Sequence, residues 1–161
     1  MLKKHFVLAL LFCVFVLPRL SGATVSCLVI ETGLPQGGSG NQYSAMWENS
    51  LMDVFFDRGH IVSNARMIRL DEKPAENFPG EAEKDYEEAR ENGMEYFLIA
   101  IIEHPARGSN AGPRTVRLRL FRTSSQELIN EQVYVNNKPG NEKEENESIK
   151  KTISLIAAQI K

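Results

Sequence analysis

The chain has 161 residues, a formal net charge of −2 and 42% hydrophobic residues. That length suits one domain behind a short leader, with enough chain to bury a real core. The slight acidic excess speaks against nucleic-acid binding, which shows as a basic face, and two cysteines are too few for a disulfide scaffold.

Residues 1–5 include Lys3 and Lys4, residues 6–17 are apolar and uncharged, Pro18 and Arg19 end that run, and Ser21, Gly22 and Ala23 are small. Basic, apolar and small segments in that order read as a secretory signal peptide. The apolar run falls short of the roughly 20 residues a membrane-spanning helix needs. The expected division is a leader at 1–23 and a single domain at 24–161, exported and most simply periplasmic. Removing Lys3, Lys4 and Arg19 takes the net charge to −5 and leaves Cys27 as the sole cysteine, so no internal disulfide can form. Cys27 has two readings. Thr24-Val25-Ser26-Cys27 is a degenerate lipoprotein signal, and an acylated Cys27 would tether the protein to a membrane. Cys27-Leu28-Val29-Ile30 also reads as mid-strand, where cysteine packs as a small hydrophobe. Acylation there leaves no spacer between lipid and fold, which favours the buried thiol.

In chain order, 24–32 predicts a strand apolar on both faces, hence central. Residues 33–40 form a loop, because Gly and Pro defeat regular structure. A helix follows over about 42–58, capped by Asn41 or Ser44 and ended by Gly59. Its buried stripe is Tyr43, Met46, Trp47, Leu51, Val54 and Phe55. A second strand covers 61–70. A short helix over 81–92 has a thin stripe of Ala82, Tyr86 and Ala89, its acids forming a solvated face, with Gly93 as its cap. Residues 96–102 predict another central strand.

Residues 114–123 alternate, with Val116, Leu118 and Leu120 on one face and Arg117 and Arg119 on the other. Ser124-Ser125 predicts a two-residue turn. The return strand, 126–136, is expected to place Ile129, Val133 and Val135 on the core face. Pairing around the turn sets Arg122 opposite Glu127, a favourable match, but Glu131 opposite Leu118, a poor one. A bulge there, or an edge strand, is expected. Asn141 and Glu144 form a capping box for a last helix with Ile149, Ile153, Ile156 and Ile160 buried. The predicted class is α/β (α+β), in the order β-α-β-α-β-β-β-α. A mixed sheet of about five strands is covered by three helices.

Candidate sites follow from residue chemistry. Gly37, Gly38, Ser39 and Gly40, between a strand and a helix, offer backbone N–H groups to a ligand, but the spacing fits neither a Walker loop nor a dinucleotide fingerprint. His60 and His104 each sit at an element end, where α/β folds gather ligands. Neither has an assignable acid–base partner, and with Cys27 they do not make a zinc set. Arg114, Arg117, Arg119 and Arg122 are the densest positive feature. Read blandly, they guard an edge strand. Read functionally, Arg117, Arg119 and Phe121 share a face and form a partner-binding patch. No catalytic residue, metal or cofactor is assigned.

The helix end, glycine cap and apolar strand at 89–102 (ARENGMEYFLIAII) and the hairpin at 118–131 (LRLFRTSSQELINE) resemble the small α/β domain of bacterial envelope accessory proteins. That group includes the lipoprotein activators of penicillin-binding proteins, the curli secretion lipoprotein and the N-terminal domain of the Tol-system propeller protein. The resemblance implies a non-enzymatic envelope protein acting through contacts with another envelope protein. It implies membrane attachment only if Cys27 is acylated. The alternative from the residues is a small-ligand or glycan binder using the loop at 33–41.

Overall fold

The computed structural model describes residues 22–33, 41–71, 74, 78–104, 114–136 and 141–160. Residues 1–21 of the expected leader and the loop residues Gly37, Gly38, Ser39 and Gly40 lie outside the described residues.

The sheet is built outward from β1 (Thr24–Thr32), which is buried from Val25 to its end. Its β-branched and aliphatic residues suit a strand covered on both faces. It pairs in parallel with β4 (Tyr96–Glu103), the other buried and mostly apolar segment. On its far side it pairs in parallel with β2 (Ile61–Asn64) and then with β3 (Ile68–Leu70). Beyond β4 the sheet turns antiparallel through β5 (Arg114–Arg122) and β6 (Glu127–Asn136). The spatial order is β2-β1-β4-β5-β6, with β3 continuing the β2 edge. This is the expected mixed sheet, with six strands instead of five.

The extra strand comes from a bulge. Thr24 pairs with Ile61, but Ile30 pairs with Ile68, so the edge chain carries one surplus residue between the two registers. A surplus residue breaks the ladder and bends the strand. The expected single strand at 61–70 therefore divides at Ala65, Arg66 and Met67, although Ala65 N still donates to Cys27 O at 2.7 Å.

A second bulge lies in the hairpin. Arg122 pairs with Glu127 as expected, but the register shifts between Leu120 and Phe121, leaving Ile129 as the surplus residue. Beyond it Glu131 faces Arg119, not Leu118. The shift reverses the faces of β6. Val133 and Val135, expected in the core, are 48% and 43% exposed, while Tyr134 packs edge-on against Trp47 at 5.3 Å. The turn is also longer than two residues. Gln126 N donates to Arg122 O at 2.9 Å, and Gln126 takes the left-handed conformation, φ 55°. Two-residue hairpin turns need a left-handed first central residue, normally Gly, Asn or Asp; Ser-Ser does not supply one.

Helices cover the two faces unequally. The first face carries α1 (Asn41–Asp57) and α3 (Glu142–Ala157), tied by Ser50 to Asn146 at 2.9 Å and Lys150 to Asp53 at 2.8 Å. Trp47, Leu51 and Phe55 of α1 and Ile149, Ile153 and Ile156 of α3 pack there against Val25, Leu98 and Leu118. The Asn141 side chain accepts from Glu144 N at 2.9 Å and donates to the Glu144 carboxylate, so the capping pair is reciprocal. The second face carries a 3-10 turn (Gly80–Ala82) and the short α2 (Glu83–Glu91). Tyr86 and Ala89 cover Leu28, Ile30, Phe97 and Ile99 there. That cover stops short of β6.

Gly22 and Ala23 belong to the folded body. Ala23 is buried and its carbonyl accepts from Ile61 N at 3.0 Å. A Cβ on Gly22 would lie 1.6 Å from Gly59 O, so no larger residue fits without moving that turn. A chain starting at Thr24 should therefore be less stable than one starting at Gly22. The expected loss is about 1–2 kcal/mol, for one backbone hydrogen bond and one buried methyl. Urea unfolding of the two chains checks this; equal midpoints would contradict it.

Candidate functional site

Two assemblies on the sheet gather charge. The first lies at the carboxyl end of β1 and β4, the end where α/β sheets gather ligands. Glu31 is fully buried there. The edge bulge sets Arg69 of β3 directly opposite it, and Arg69 Nε donates to Glu31 Oε2 at 3.1 Å. In the β2 register Ile68 would take that place. Ser44 of α1 donates to Glu31 Oε1, so Ser44 is a tertiary partner of the carboxylate and not a helix cap. His104 Nε2 stands 3.6 Å from the same oxygen, beyond hydrogen-bond range. The His104 ring meets Tyr43 edge-on at 6.4 Å, and the Arg114 guanidinium covers Tyr43 at 3.9 Å. Gly33, with φ +73°, turns the chain away where a Cβ would come within 2.7 Å of His104 O.

This cluster balances a buried charge. An unpaired carboxylate in an apolar interior costs several kcal/mol, and Arg69 and Ser44 offset that cost. Burial, and then the charge of Arg114, push the His104 pKa below its ordinary 6.5, against the pull of Glu31. Burial, followed by Arg58, likewise lowers His60. His60 precedes β2 at one end of the sheet, whereas His104 follows β4 at the other. The two histidines therefore do not meet. Among the described residues no three of His, Cys, Asp and Glu converge as metal ligands.

The second assembly is the open face of the hairpin. The four arginines of β5 separate by alternation. Arg114 and Arg122 lie on the helix-covered face over Tyr43 and Tyr96, at 3.9 and 5.6 Å. Arg117 and Arg119 lie on the other face, and both reach Glu131. Arg119 Nε to Glu131 Oε2 is 2.6 Å, and Arg117 Nη1 to Oε1 is 3.0 Å. Burial works to raise the Glu131 pKa, but hydrogen bonds and charge from Arg119 and Arg117 outweigh it and hold the carboxyl below its usual range. Phe121 shares this face but is buried beneath Phe78, at 5.1 Å, in the second core. It gives a partner no surface. Leu128, Val133 and Val135 supply the exposed apolar area instead.

Cys27 lies in the first core on β1. Burial first, and then Glu48, push its thiol up to about 12. A lipid on this sulfur would have to displace the core, so the structure gives Cys27 a packing role. Among the described residues, no helix is long and apolar enough to cross a membrane.

Sequence reading missed the Glu31 cluster and one further acid. Its available signal was an acid inside an otherwise apolar central strand, which demands a partner. Arg69 could be assigned to Glu31 only by knowing the bulge. Asp85, expected on a solvated face, is buried.

No family model matches the chain, and no curated protein matches it. Solved structures do share its fold. PelC from Paraburkholderia phytofirmans, solved as a dodecamer, superposes with a TM-score of 0.52 at 17% identity, covering 83% of this chain and 86% of that one. The LpoB C-terminal domain from Salmonella enterica gives 0.47 at 12%, over 73% and 84%. Lipoprotein GNA1162 from Neisseria meningitidis gives 0.44 at 13%, over 82% and 96%. The expected resemblance to the small α/β domain of envelope accessory proteins is thus present, as a likeness of fold.

The titrating groups set an expected pH profile. A histidine whose folded pKa lies below its unfolded value destabilises the fold as pH falls, because the unfolded chain takes the proton first. Stability should therefore drop as pH falls below 6.5, through His60 and His104. A second drop should begin below 4.5, as Glu131 loses the advantage of its depressed pKa. Thermal melts from pH 8 to 3 test this. His104→Asn should shrink the first stage to the share of His60, and Glu131→Gln should flatten the second; unchanged profiles would refute the assignments. A second check uses Cys27. It should resist a thiol reagent at pH 8 in the native protein and react fully in denaturant; rapid native labelling would place the thiol at the surface.

Proposed function

We propose that this chain is an exported, non-catalytic accessory protein of the bacterial envelope that binds another envelope protein through the β5–β6 hairpin. One observation carries the reading: on the second face, the helical cover from α2 stops before β6. The face it leaves open combines Leu128 (40% exposed), Val133 and Val135 with the Arg117–Glu131 ion pair, while Arg119, also held by Glu131, is itself buried. β6 is also a terminal strand of the sheet, so its outer backbone groups can template an added strand. The expected partner is an extended segment whose apolar side chains alternate onto Val133 and Val135. The leader expected at 1–23 supports the compartment, and the shared fold with envelope proteins agrees with it. Glu31, Ser44 and His104 face one another in the interior, which suits stability better than turnover.

The test is a photo-cross-linker at residue 133, with capture from envelope extracts, comparing the native chain with a Val133→Asp, Val135→Asp variant. Both substitutions lie on a solvated face and should change stability by no more than about 0.5 kcal/mol. The expected result is one cross-linked partner, lost in the variant while its thermal melt is retained. Equal capture by the folded variant would remove the hairpin from consideration. Concentration-dependent self-association lost in the same variant would replace the partner by a second copy of this chain, the kind of assembly the PelC dodecamer represents. Charge reversal at Arg117 and Arg119 is a poorer probe, because it would crowd carboxylates around Glu131 and disturb the hairpin itself.

A further inference from the structure

At the opposite edge of the sheet, a polar cleft of about 340 Å³ opens between α2 and the bulged edge strand. Small side chains make it. Ser26 and Ser63 from paired positions of β1 and β2, Ala65 at the bulge and Ala89 on α2 line the space where larger residues would close helix onto strand. Charges of both signs stand over it: Arg66 and Lys84 against Asp85 and Glu88.

Asp85 is the unusual member. Glu83, Glu88 and Glu91 of the same helix are exposed, but Asp85 is only 7% exposed. Its hydrogen bond among the described residues comes from Arg66 Nε at 3.4 Å, long for a charge-assisted bond. A carboxylate has about four acceptor sites, and Arg66 takes one of them, so this one has room for a further donor. The first turn of a helix tolerates an acid, but an outward rotamer would meet that need equally well. Arg66 sits on the bulge with its side chain 62% exposed, so its contact with Asp85 is weak and easily opened. Among the described residues no aromatic side chain lines the cleft, which argues against a stacked sugar or base. The size lies at the lower end for small-ligand sites.

We infer that this cleft binds a small zwitterion, a free α-amino acid or a short peptide. Asp85 receives the ammonium group, and Arg66, released from Asp85, takes the carboxylate with Lys84. Ser63 and Asn64 form the wall on the strand side. The site lies at the β2 edge, away from β6, and stands or falls independently of the hairpin reading.

The test is NMR titration of the purified protein with glycine, L-alanine, D-alanine and Ala-Ala, each also in its N-acetylated form. The expected result is saturable shifts at the Ser63, Asn64 and Asp85 amides with at least one zwitterion, weakened roughly tenfold or more by N-acetylation and by Asp85→Asn. Ser63→Leu, which fills the cleft from a half-buried strand position, should abolish the shifts while the thermal melt confirms folding. Preference for Ala-Ala over alanine would select a peptide terminus, and the reverse a free amino acid. Absence of saturable shifts with every compound at millimolar concentration would overturn the proposal. So would binding that Asp85→Asn and Ser63→Leu both leave intact.

Discussion

A carboxylate inside a sheet has to meet a cation at a fixed place, and that requirement sets the register on both sides of this molecule. Glu31 lies on a strand buried on both faces, and the exposed Glu131 lies beside Arg117 and the buried Arg119 of β5. Regular pairing would have put Ile68 opposite Glu31 and Leu118 opposite Glu131. In each case one surplus residue moves the ladder by one step, and the partners become Arg69 and Arg119. Leaving a buried carboxylate unmatched costs several kcal/mol, a large part of the roughly 5–15 kcal/mol by which domains are stable. A bulge forfeits part of one ladder repeat. The comparison of these magnitudes explains why the bulge opposite the buried Glu31 persists; at the hairpin the buried charge is Arg119, and the shift brings the exposed Glu131 opposite it.

The bulges fall on the two outer ladders, and they shape the surfaces that remain open. At the β2 edge, the surplus residue lifts Ala65, Arg66 and Met67 out of the ladder and leaves a cleft under α2. At the β6 edge, it turns Val133 and Val135 outward on the face that α2 does not reach. The central pair β1 and β4 carries no such irregularity. Rigid parallel strands in the middle and irregular edges outside separate stability from recognition.

Much of this was legible in the sequence. The two apolar strands, the helix stripes, the capping pair at Asn141 and Glu144 and the pairing of Arg122 with Glu127 all follow from local pattern. So did the poor match of Glu131 with Leu118, which announced the hairpin bulge. The consequence of the bulge was not legible. Alternation assigns faces only while the register is constant, so Val133 and Val135 were placed inside when one surplus residue had put them outside. Asp85 and Phe121 show the complementary limit. An acid within an acidic helix and a phenylalanine beside two arginines look exposed, but their burial depends on Arg66 and Phe78, which approach from other parts of the chain.

The sorting of the β5 arginines shows how an open apolar face can stand in water. Alternation sends Arg114 and Arg122 to the helix-covered side, where tyrosine rings take them up. It sends Arg117 and Arg119 to the open side, where Glu131 holds both. Charges fixed along a sheet's margin discourage indiscriminate strand pairing, yet here they are already partly neutralised across the hairpin. An incoming segment therefore need not bring a full counter-charge for each arginine or bury a lone cation. It needs apolar side chains for Val133 and Val135 and main-chain groups for the β6 edge. Specificity would then come from fitting around the Glu131 bridge, because two arginines on one carboxylate leave the spot net positive, so a chain presenting a cation there meets repulsion, whereas a neutral or acidic one does not.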